Sequence, residues 1–572
     1  MVQLAVIVCT AWVVVAVSLT LYWGVCLLRN YAAAHKLGVP LRVIPIDHTN
    51  PIWMLLDRKI LSIITQLVPS LRNSSFVRHN YRGWELRERY FSHHELGDVF
   101  ALVTPGRTWV YIANPDALMD VFRRRTDFPR CLELTGKNSK VLNVFGPNVS
   151  TVDGPQWKMQ RKLIGTCFTE QNNEIVWSES TVLARDMIQY WASKPSVDSI
   201  APDTRTLSLH VLSRAGFGKS FKFKGHDDRQ KNQTSTNYKE SLQLILENCI
   251  LIMALGPRFL ADWKPWLPRK LQRLQEACAS FQRYMTETYE DEKKASSSSS
   301  SSMPGDHNLM KSLVRASQDE AKTSSGALGP GLTEQEIYGN MFVLNFAGHD
   351  TTAHTFTFSL YFLAAHREVQ DWVFEELRHV LGNRPPNEWH YASDFPRLKR
   401  ALAVMYETLR LYTPVPVAKW TGAQSQTLSV GDKTLILPPN TMVIPSYSAV
   451  HTDPKHWGSD SLDWKPSRWV TPGASGAMDD EVFLAPKKGT FLGWSEGARD
   501  CPGRKFSQVE FVATMAVLFR EWYVEPVLLD VDRGSLRAAC KRVLNQIETD
   551  SAMVLLLQML HPERAPLVWK RR

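Results

Sequence analysis

Cys501 stands in Trp494-Ser-Glu-Gly-Ala-Arg-Asp-Cys-Pro-Gly503, the densest concentration of reactive chemistry in the chain. A thiolate ahead of a helix is favoured by the helix dipole and its unshared N–H groups. The run Phe506 to Leu518 reads as that helix. Gly497 and Gly503 remove side chains where a flat ligand would approach the backbone. Arg499 offers a fork of donors suited to a carboxylate. A structural cysteine in a turn would account for Cys501 alone, but not for the agreement of Trp494, Gly497, Arg499 and Gly503 around it.

Three further constellations carry chemistry. Ala347-Gly-His-Asp-Thr-Thr352 sets an acid beside an alcohol inside an apolar, helical stretch. Gly348 weakens the helix there, and threonine hydroxyls compete for the i−4 carbonyl, so a local distortion with room for ligand and water is expected. A polar helix face with a packing glycine is the plainer reading. Trp157 and Arg161, at i and i+4, can reach one anion together or form a surface aromatic–cation pair. Glu407-Thr-Leu-Arg410 puts a carboxylate and a guanidinium on one helix face, as does Glu375-Glu-Leu-Arg378. Only the first pair precedes Leu-Tyr-Thr-Pro-Val-Pro and is followed by Lys465-Pro-Ser-Arg-Trp469.

These segments, in this order, resemble the cytochrome P450 family, whose haem loop reads Phe-x-x-Gly-x-Arg-x-Cys-x-Gly. Trp494 takes the Phe position, keeping an apolar face and adding an N–H. The resemblance covers roughly residue 40 to the C-terminus, and Pro-Gly-Arg-Lys-Phe-Ser after Cys501 is most similar to filamentous-fungal members. It implies a mainly α fold with small β-sheets, a single large domain. It implies that Cys501 is the axial thiolate to haem iron, with Trp494, Gly497, Arg499 and Gly503 shaping its loop. Trp157 and Arg161 would bind haem propionates, and Lys419 occupies a slot where many members have arginine. Asp350 and Thr351 would deliver protons to iron-bound dioxygen, with His349 a bystander. Glu407, Arg410 and Arg468 would form a buried structural triad.

Around these residues the elements follow from pattern. Thr333 with Glu336 makes a capping box that starts a helix running to about His366, and another helix covers Arg367 to Leu381. Residues 170 to 290 read as largely helical, with apolar spacing through Leu242, Ile245, Leu246 and Ile250. Pro115 to Arg125 reads as a helix after the strand-like Trp109 to Ile112. Leu428 to Val430, Thr434 to Leu437 and Met442 to Ile444 read as strands between Gly and Pro punctuation. Seven serines, Ser296 to Ser302, mark a solvated, disordered loop over about 293–330.

Residues 4–28 carry no charge and are long enough to span a bilayer. A cleaved signal peptide is the alternative, but no basic region precedes the run. Arg29, Lys36 and Arg42 follow it, placing the catalytic domain (40–572) in the cytoplasm as a single-pass protein, expected in the endoplasmic reticulum membrane. The eight scattered cysteines fit a reducing compartment rather than a disulfide framework. Three glycosylation sequons occur, at Asn73, Asn148 and Asn232. The net charge of +10 shows no Arg/Lys run interleaved with aromatics, which argues against nucleic acid.

The expected activity is insertion of one oxygen atom of O2 into a lipophilic small molecule. Val141 to Phe145, Phe342, Phe346 and Val415 to Val417 are the expected lining, and secondary metabolism is the setting the resemblance implies. No Gly-rich nucleotide motif is present, so NADPH-derived electrons would come from a separate NADPH-cytochrome P450 reductase, with cytochrome b5 an additional candidate donor. Arg504 and Lys505 read equally as a docking patch or as ordinary solvated surface. An isomerase or peroxide-using enzyme, and a haem sensor without chemistry, are the competing readings. The Asp350–Thr351 pair argues against both.

Overall fold

The computed structural model describes residues 2–130, 142–226, 238–248, 251, 252, 255, 266–297, 308, 310, 311, 313–315, 317, 318 and 331–572. The chain divides into two compact units. The first comprises Met1–Cys131, Pro416–Asp463 and Pro486–Asp500; the second comprises Leu132–Val415, Trp464–Ala485 and Cys501–Arg572. Helices of eight residues or more and the strands of the first unit are numbered below.

The first unit opens with α1 (Val2–His35), whose stretch Trp12–His35 is long and apolar enough to cross a membrane. The helix continues past the expected span of 4–28, and its end joins the domain. Ala34 and Leu37 are buried in the unit's core with Leu27 packed against it, and Asn30 Nδ2 donates to the Thr104 and Pro105 carbonyls at 2.9 and 3.1 Å. Next come β1 (Leu41–Val43), α2 (Pro51–Leu67), β2 (Val99–Val103), β3 (Thr108–Ile112) and α3 (Pro115–Arg123). After the second unit's long insertion come β4 (Lys419–Trp420), β5 (Gln426–Val430), β6 (Lys433–Leu437) and β7 (Met442–Pro445). One sheet has the order β1-β2-β3-β7-β4, with β1/β2 and β3/β7 parallel; β5 and β6 pair separately. Every residue of β2 and β3 is buried, so these strands read as continuous apolar runs rather than alternating ones. Asn114 caps α3 by accepting from Ala117 N, and Pro115 occupies the first turn, where no N–H is missed.

The second unit is the helical one. It holds α4 (Gly154–Gly165), α5 (Glu170–Ala192), α6 (Ile200–Phe217), α7 (Tyr238–Glu247), α8 (Arg269–Ser297), α9 (Glu334–Ala365), α10 (Arg367–Leu381), α11 (Lys399–Leu411), α12 (Arg504–Arg520) and α13 (Leu536–Asp550). Short antiparallel strand pairs complete it: Val470–Thr471 with Val482–Phe483, Trp522–Pro526 with Leu567–Arg571, and Ser551–Met553 with Leu557–Met559. Both halves of the Thr333/Glu336 capping box form at the head of α9. That helix is buried around most of its circumference, which its apolar sequence permits and which only neighbours on every side can satisfy. One neighbour is α6, where Thr204 Oγ1 lies 3.1 Å from Thr357 Oγ1 and 3.3 Å from the Ala353 carbonyl. Another is α12, whose Phe511 ring stacks on Phe356 at 4.8 Å.

The expected loop over 293–330 lies largely outside the described residues. Where it is described, α8 carries helix through Ser297, and Leu313 and Val314 are buried. Leu242 and Ile245 are buried on α7 as their spacing requires; Ile250 lies outside the described residues.

α12 contains a fully buried acid, Glu510, which burial pushes up to about 8, the Ser208 hydroxyl offsetting only part of the rise. Folding therefore retains a proton there that the unfolded chain gives up above the ordinary glutamate range of about 4.3. Stability is lost as pH rises from there towards 8. The Glu510→Gln variant is expected to gain on the parent steadily over that interval, read as denaturation midpoint against pH.

Candidate functional site

The loop that leads to the thiol is set by its backbone. Ser495 and Gly497 take positive φ (63° and 75°), and a Cβ on Gly497 would stand 2.6 Å from the Phe122 carbonyl of α3. Gly497 is therefore glycine because of this protein backbone, a reason the sequence reading did not supply. Gly503 differs: a Cβ there would make only ordinary contact, with Phe168 at 3.7 Å and Cys501 Sγ at 3.9 Å, so no neighbouring protein atom requires glycine at this position. Trp494 is buried edge-on against Phe491, centroids 6.0 Å apart.

Cys501 is exposed at the head of the 17-residue α12. The contrast with other thiols is chemical. Burial pushes Cys167 and Cys278 up to about 12, which keeps them protonated and inert. Among the described cysteines Cys501 alone is exposed, so it alone pairs access with a helix N-terminus.

Across α9, Ala347 to Thr352 forms uninterrupted helix, and the expected distortion is not seen. Gly348 faces α6, where a Cβ would come within 3.0 Å of the Leu212 side chain; it is a packing glycine. Thr351 Oγ1 does donate to the i−4 carbonyl of Ala347, at 2.8 Å, and remains solvent-accessible. Asp350 is held by Arg205 of α6, whose Nε donates to Oδ1 at 3.1 Å while its Nη2 donates to Gln558 at 2.9 Å. His349 Nε2 lies 3.6 Å and His354 Nε2 4.0 Å from the same oxygen. His349, expected as a bystander, is thus buried against the acid, its Nδ1 donating to the Asn345 carbonyl at 2.9 Å.

Burial alone would raise the Asp350 carboxyl, but His349, His354 and Arg205 outweigh it and hold the acid below its ordinary range. His354 is pushed down to about 3 by burial and is neutral near pH 7, which leaves Arg205 as the permanent cation. A depressed carboxylate stabilises the fold above its ordinary range and ceases to as pH falls through its folded value. Arg205→Leu removes the cation, so the acid limb of the turnover–pH profile is expected to move to higher pH. Turnover at neutral pH is expected to fall about tenfold, less than the roughly 10²–10⁴-fold that outright loss of a proton-transfer group costs.

On α4, Trp157 is buried and Arg161 half-buried one turn on. The helix is stitched to α9 by Gln160, which donates to Glu336 at 3.0 Å and accepts from Asn340 at 3.1 Å. In the first unit, Lys419 and Arg499 are both buried. Arg130, which the sequence reading missed, bridges to Lys419 through the backbone and donates to the Arg499 carbonyl at 3.5 Å. Its one signal was Asp127-Phe-Pro-Arg130, too short to stand out. Within the second unit, an accessible thiol at a helix head and an indole with a guanidinium one turn on are donors of the kind a haem needs for its iron and a propionate; within the first unit, the buried Lys419 and Arg499 have the charge a propionate needs.

Glu407 is fully buried and accepts from Arg410 Nε and Nη2 (2.8 and 2.9 Å), Arg468 Nε (2.8 Å), Trp469 Nε1 (3.0 Å) and Lys465 N (2.8 Å). Glu375 instead is solvent-exposed and pairs with Arg400 at 3.0 Å. Of the expected lining, Phe145, Phe342 and Phe346 come together, joined by Phe281 of α8: Phe145 lies 5.2 Å from Phe281 and 5.0 Å from Phe342. Val415 belongs to the second unit and Val417 to the rim of the first unit's core; Val141 lies outside the described residues. Arg504 donates to Tyr406 Oη at 3.0 Å and Lys505 sits over the Phe395 ring at 4.3 Å, so both cations engage their own fold. Asn148 is buried, its Nδ2 donating to the Leu142 carbonyl, which excludes a glycan on the folded chain; Asn73 is exposed and Asn232 lies outside the described residues.

Residues 79–541 match the family model described as cytochrome P450. A cytochrome P450 monooxygenase of Arthrobotrys oligospora is 28% identical over 87% of this chain and 88% of its own length. A monooxygenase of the phomenoic acid biosynthesis cluster of Leptosphaeria maculans is 27% identical over 89% of this chain and 91% of its own. The 7-deoxyloganic acid hydroxylase of Catharanthus roseus is 24% identical over 73% and 74%.

Proposed function

Because the chain belongs to the cytochrome P450 family and is a monooxygenase, we propose that it hydroxylates a lipophilic small molecule of fungal secondary metabolism. Electrons would come from a separate NADPH-cytochrome P450 reductase on the endoplasmic reticulum membrane. Haem, when bound, supplies the activation of dioxygen. In this reading Cys501 Sγ would hold the haem iron, Trp157, Arg161 and Arg499 would bind the propionates, and Trp494, Gly497 and Gly503 would shape the loop. Asp350 carries a proton inward from the α6 side, and Thr351 Oγ1 passes it on after leaving the Ala347 carbonyl. The aromatic cluster of Phe145, Phe281, Phe342 and Phe346 favours an apolar substrate and keeps water out.

The observation that carries this reading is that α9, bearing Asp350 and Thr351, packs directly on α12, which the thiol heads, through Phe356 and Phe511. The relative in Leptosphaeria, assigned to a biosynthetic cluster, supports the metabolic setting. The test is turnover of a lipophilic fungal extract under heavy dioxygen, in membranes holding this chain and a reductase. Products carrying one heavy oxygen atom, dependent on both NADPH and reductase, are expected. Turnover with peroxide and no reductase would instead favour the peroxide-using reading.

A further inference from the structure

Two turns into α9, Asn340 is fully buried with both ends of its amide in use. Its Oδ1 accepts from Val149 N at 2.9 Å, and its Nδ2 donates to Gln160 of α4 at 3.1 Å and to the Glu336 carbonyl at 2.8 Å. A backbone N–H can only donate, which fixes the amide oxygen on the Val149 side. Glu336 strengthens the α4 arm of this junction, accepting from Gln156 at 2.5 Å and from Gln160 at 3.0 Å.

Val149 belongs to a loop, residues 142–151, that Asn148 ties together. The Asn148 Nδ2 donates to the Leu142 and Gly146 carbonyls, its Oδ1 accepts from Ser150 N at 3.1 Å, and its backbone exchanges bonds with Thr151. Phe145 is part of the same piece and meets Phe281 and Phe342 in the aromatic cluster. Where the loop touches α9 there is no room for a side chain on either partner. A Cβ on Gly339 would collide with the Gly146 and Pro147 carbonyls, and one on Gly146, at φ 135°, with the Gln335 carbonyl. Asn340 stands next to this contact and bonds across it. It lies about 200° around α9 from Phe342, so its reach into the aromatic cluster runs through the loop.

We propose that Asn340 is a positioning residue for substrate selection: by holding Val149 beside the Gly339 contact, it fixes where Phe145 stands and so the shape of pocket that a lipophilic substrate meets. This rests on the reading of the aromatic cluster as the substrate pocket. Without the Asn340 oxygen, the Val149 N–H loses its acceptor, and the loop satisfies it by shifting towards water. Phe145 shifts with it, because Asn148 makes the loop one piece.

Haem-loaded, full-length protein is titrated with imidazole, which needs only the iron, and with a triphenylmethyl-substituted imidazole, which must also enter an apolar pocket. Both are followed by the Soret shift, and backbone amide exchange over 142–152 is followed by mass spectrometry. In Asn340→Leu, exchange over 142–152 is expected to rise at least about tenfold. The bulky ligand is expected to bind at least about fivefold more weakly, with imidazole unchanged. Gly339→Ala keeps every polar partner and displaces the loop by bulk; it is expected to give the same two changes, and it carries the test should Asn340→Leu fail to fold. Gln370→Leu removes another fully buried amide, one that donates to the Leu363 and Val524 carbonyls, and should leave the ratio of the two affinities at the parent value. An equal change there would make the effect a general loosening and overturn the proposal. Phe145→Ala tests the pocket itself and should weaken the bulky ligand alone. If it does so while Asn340→Leu and Gly339→Ala keep the parent ratio or the parent exchange, the proposal falls and the pocket stands. If Phe145→Ala keeps the parent ratio, the pocket reading fails and takes the proposal with it.

Discussion

Cys501→Ala is expected to abolish the red-shifted Soret band of the reduced, carbon-monoxide-bound protein and to lower turnover by at least about a thousandfold. Access and charge single out this thiol. A thiolate ligand must be reachable and must exist as the anion, and among the described cysteines only Cys501 meets the first condition at the head of a long helix. Cys167 and Cys278 fail both, since burial pushes each thiol up to about 12. Cys167→Ala and Cys278→Ala should therefore keep the band and cost at most the stability of a small cavity. Retention of the band in Cys501→Ala, in folded haem-loaded protein, would remove Cys501 as the ligand and with it the proposed mechanism.

Local signals made much of this architecture readable. The Thr333/Glu336 box is a four-residue interaction, so α9 begins where the sequence places it, and α10 spans Arg367 to Leu381 as its amphipathic spacing requires. β1 escaped because Leu-Arg-Val is too short for alternation to register; it becomes a strand through its parallel register on β2. The ion pair between Asp350 and Arg205 joins residues 145 positions apart, a relation that no spacing rule can contain. Gly348 was legible as unusual but not in its purpose, because the Leu212 side chain that requires it belongs to another helix. The motif residues were thus visible singly, whereas what restrains them, Arg205, Trp469 and Arg130, became visible only with tertiary contacts.

Glu407 shows how much rests on such contacts. Its two oxygens receive five donors, two from Arg410 and one each from Arg468, Trp469 and the Lys465 backbone, with Glu407 and Arg410 withdrawn from solvent. Glu407→Ala would leave the Arg410 guanidinium buried without its counter-charge, and breaking a buried pair from one side costs about 3–5 kcal/mol. Arg410→Ala should come next. Arg468→Ala should be milder, because that side chain is 11% exposed and reaches water. Glu375→Gln, at the same Glu-x-x-Arg spacing but solvent-exposed, should stay within about 0.5 kcal/mol of the parent. Denaturation midpoints read the order directly. The folded fraction of Glu407→Ala should still give the thiolate band, since this carboxylate holds α11 to the Lys465–Trp469 turn and does not touch the reacting atoms. Loss of the band in folded protein, with stability unchanged, would make Glu407 part of the chemistry instead of its support.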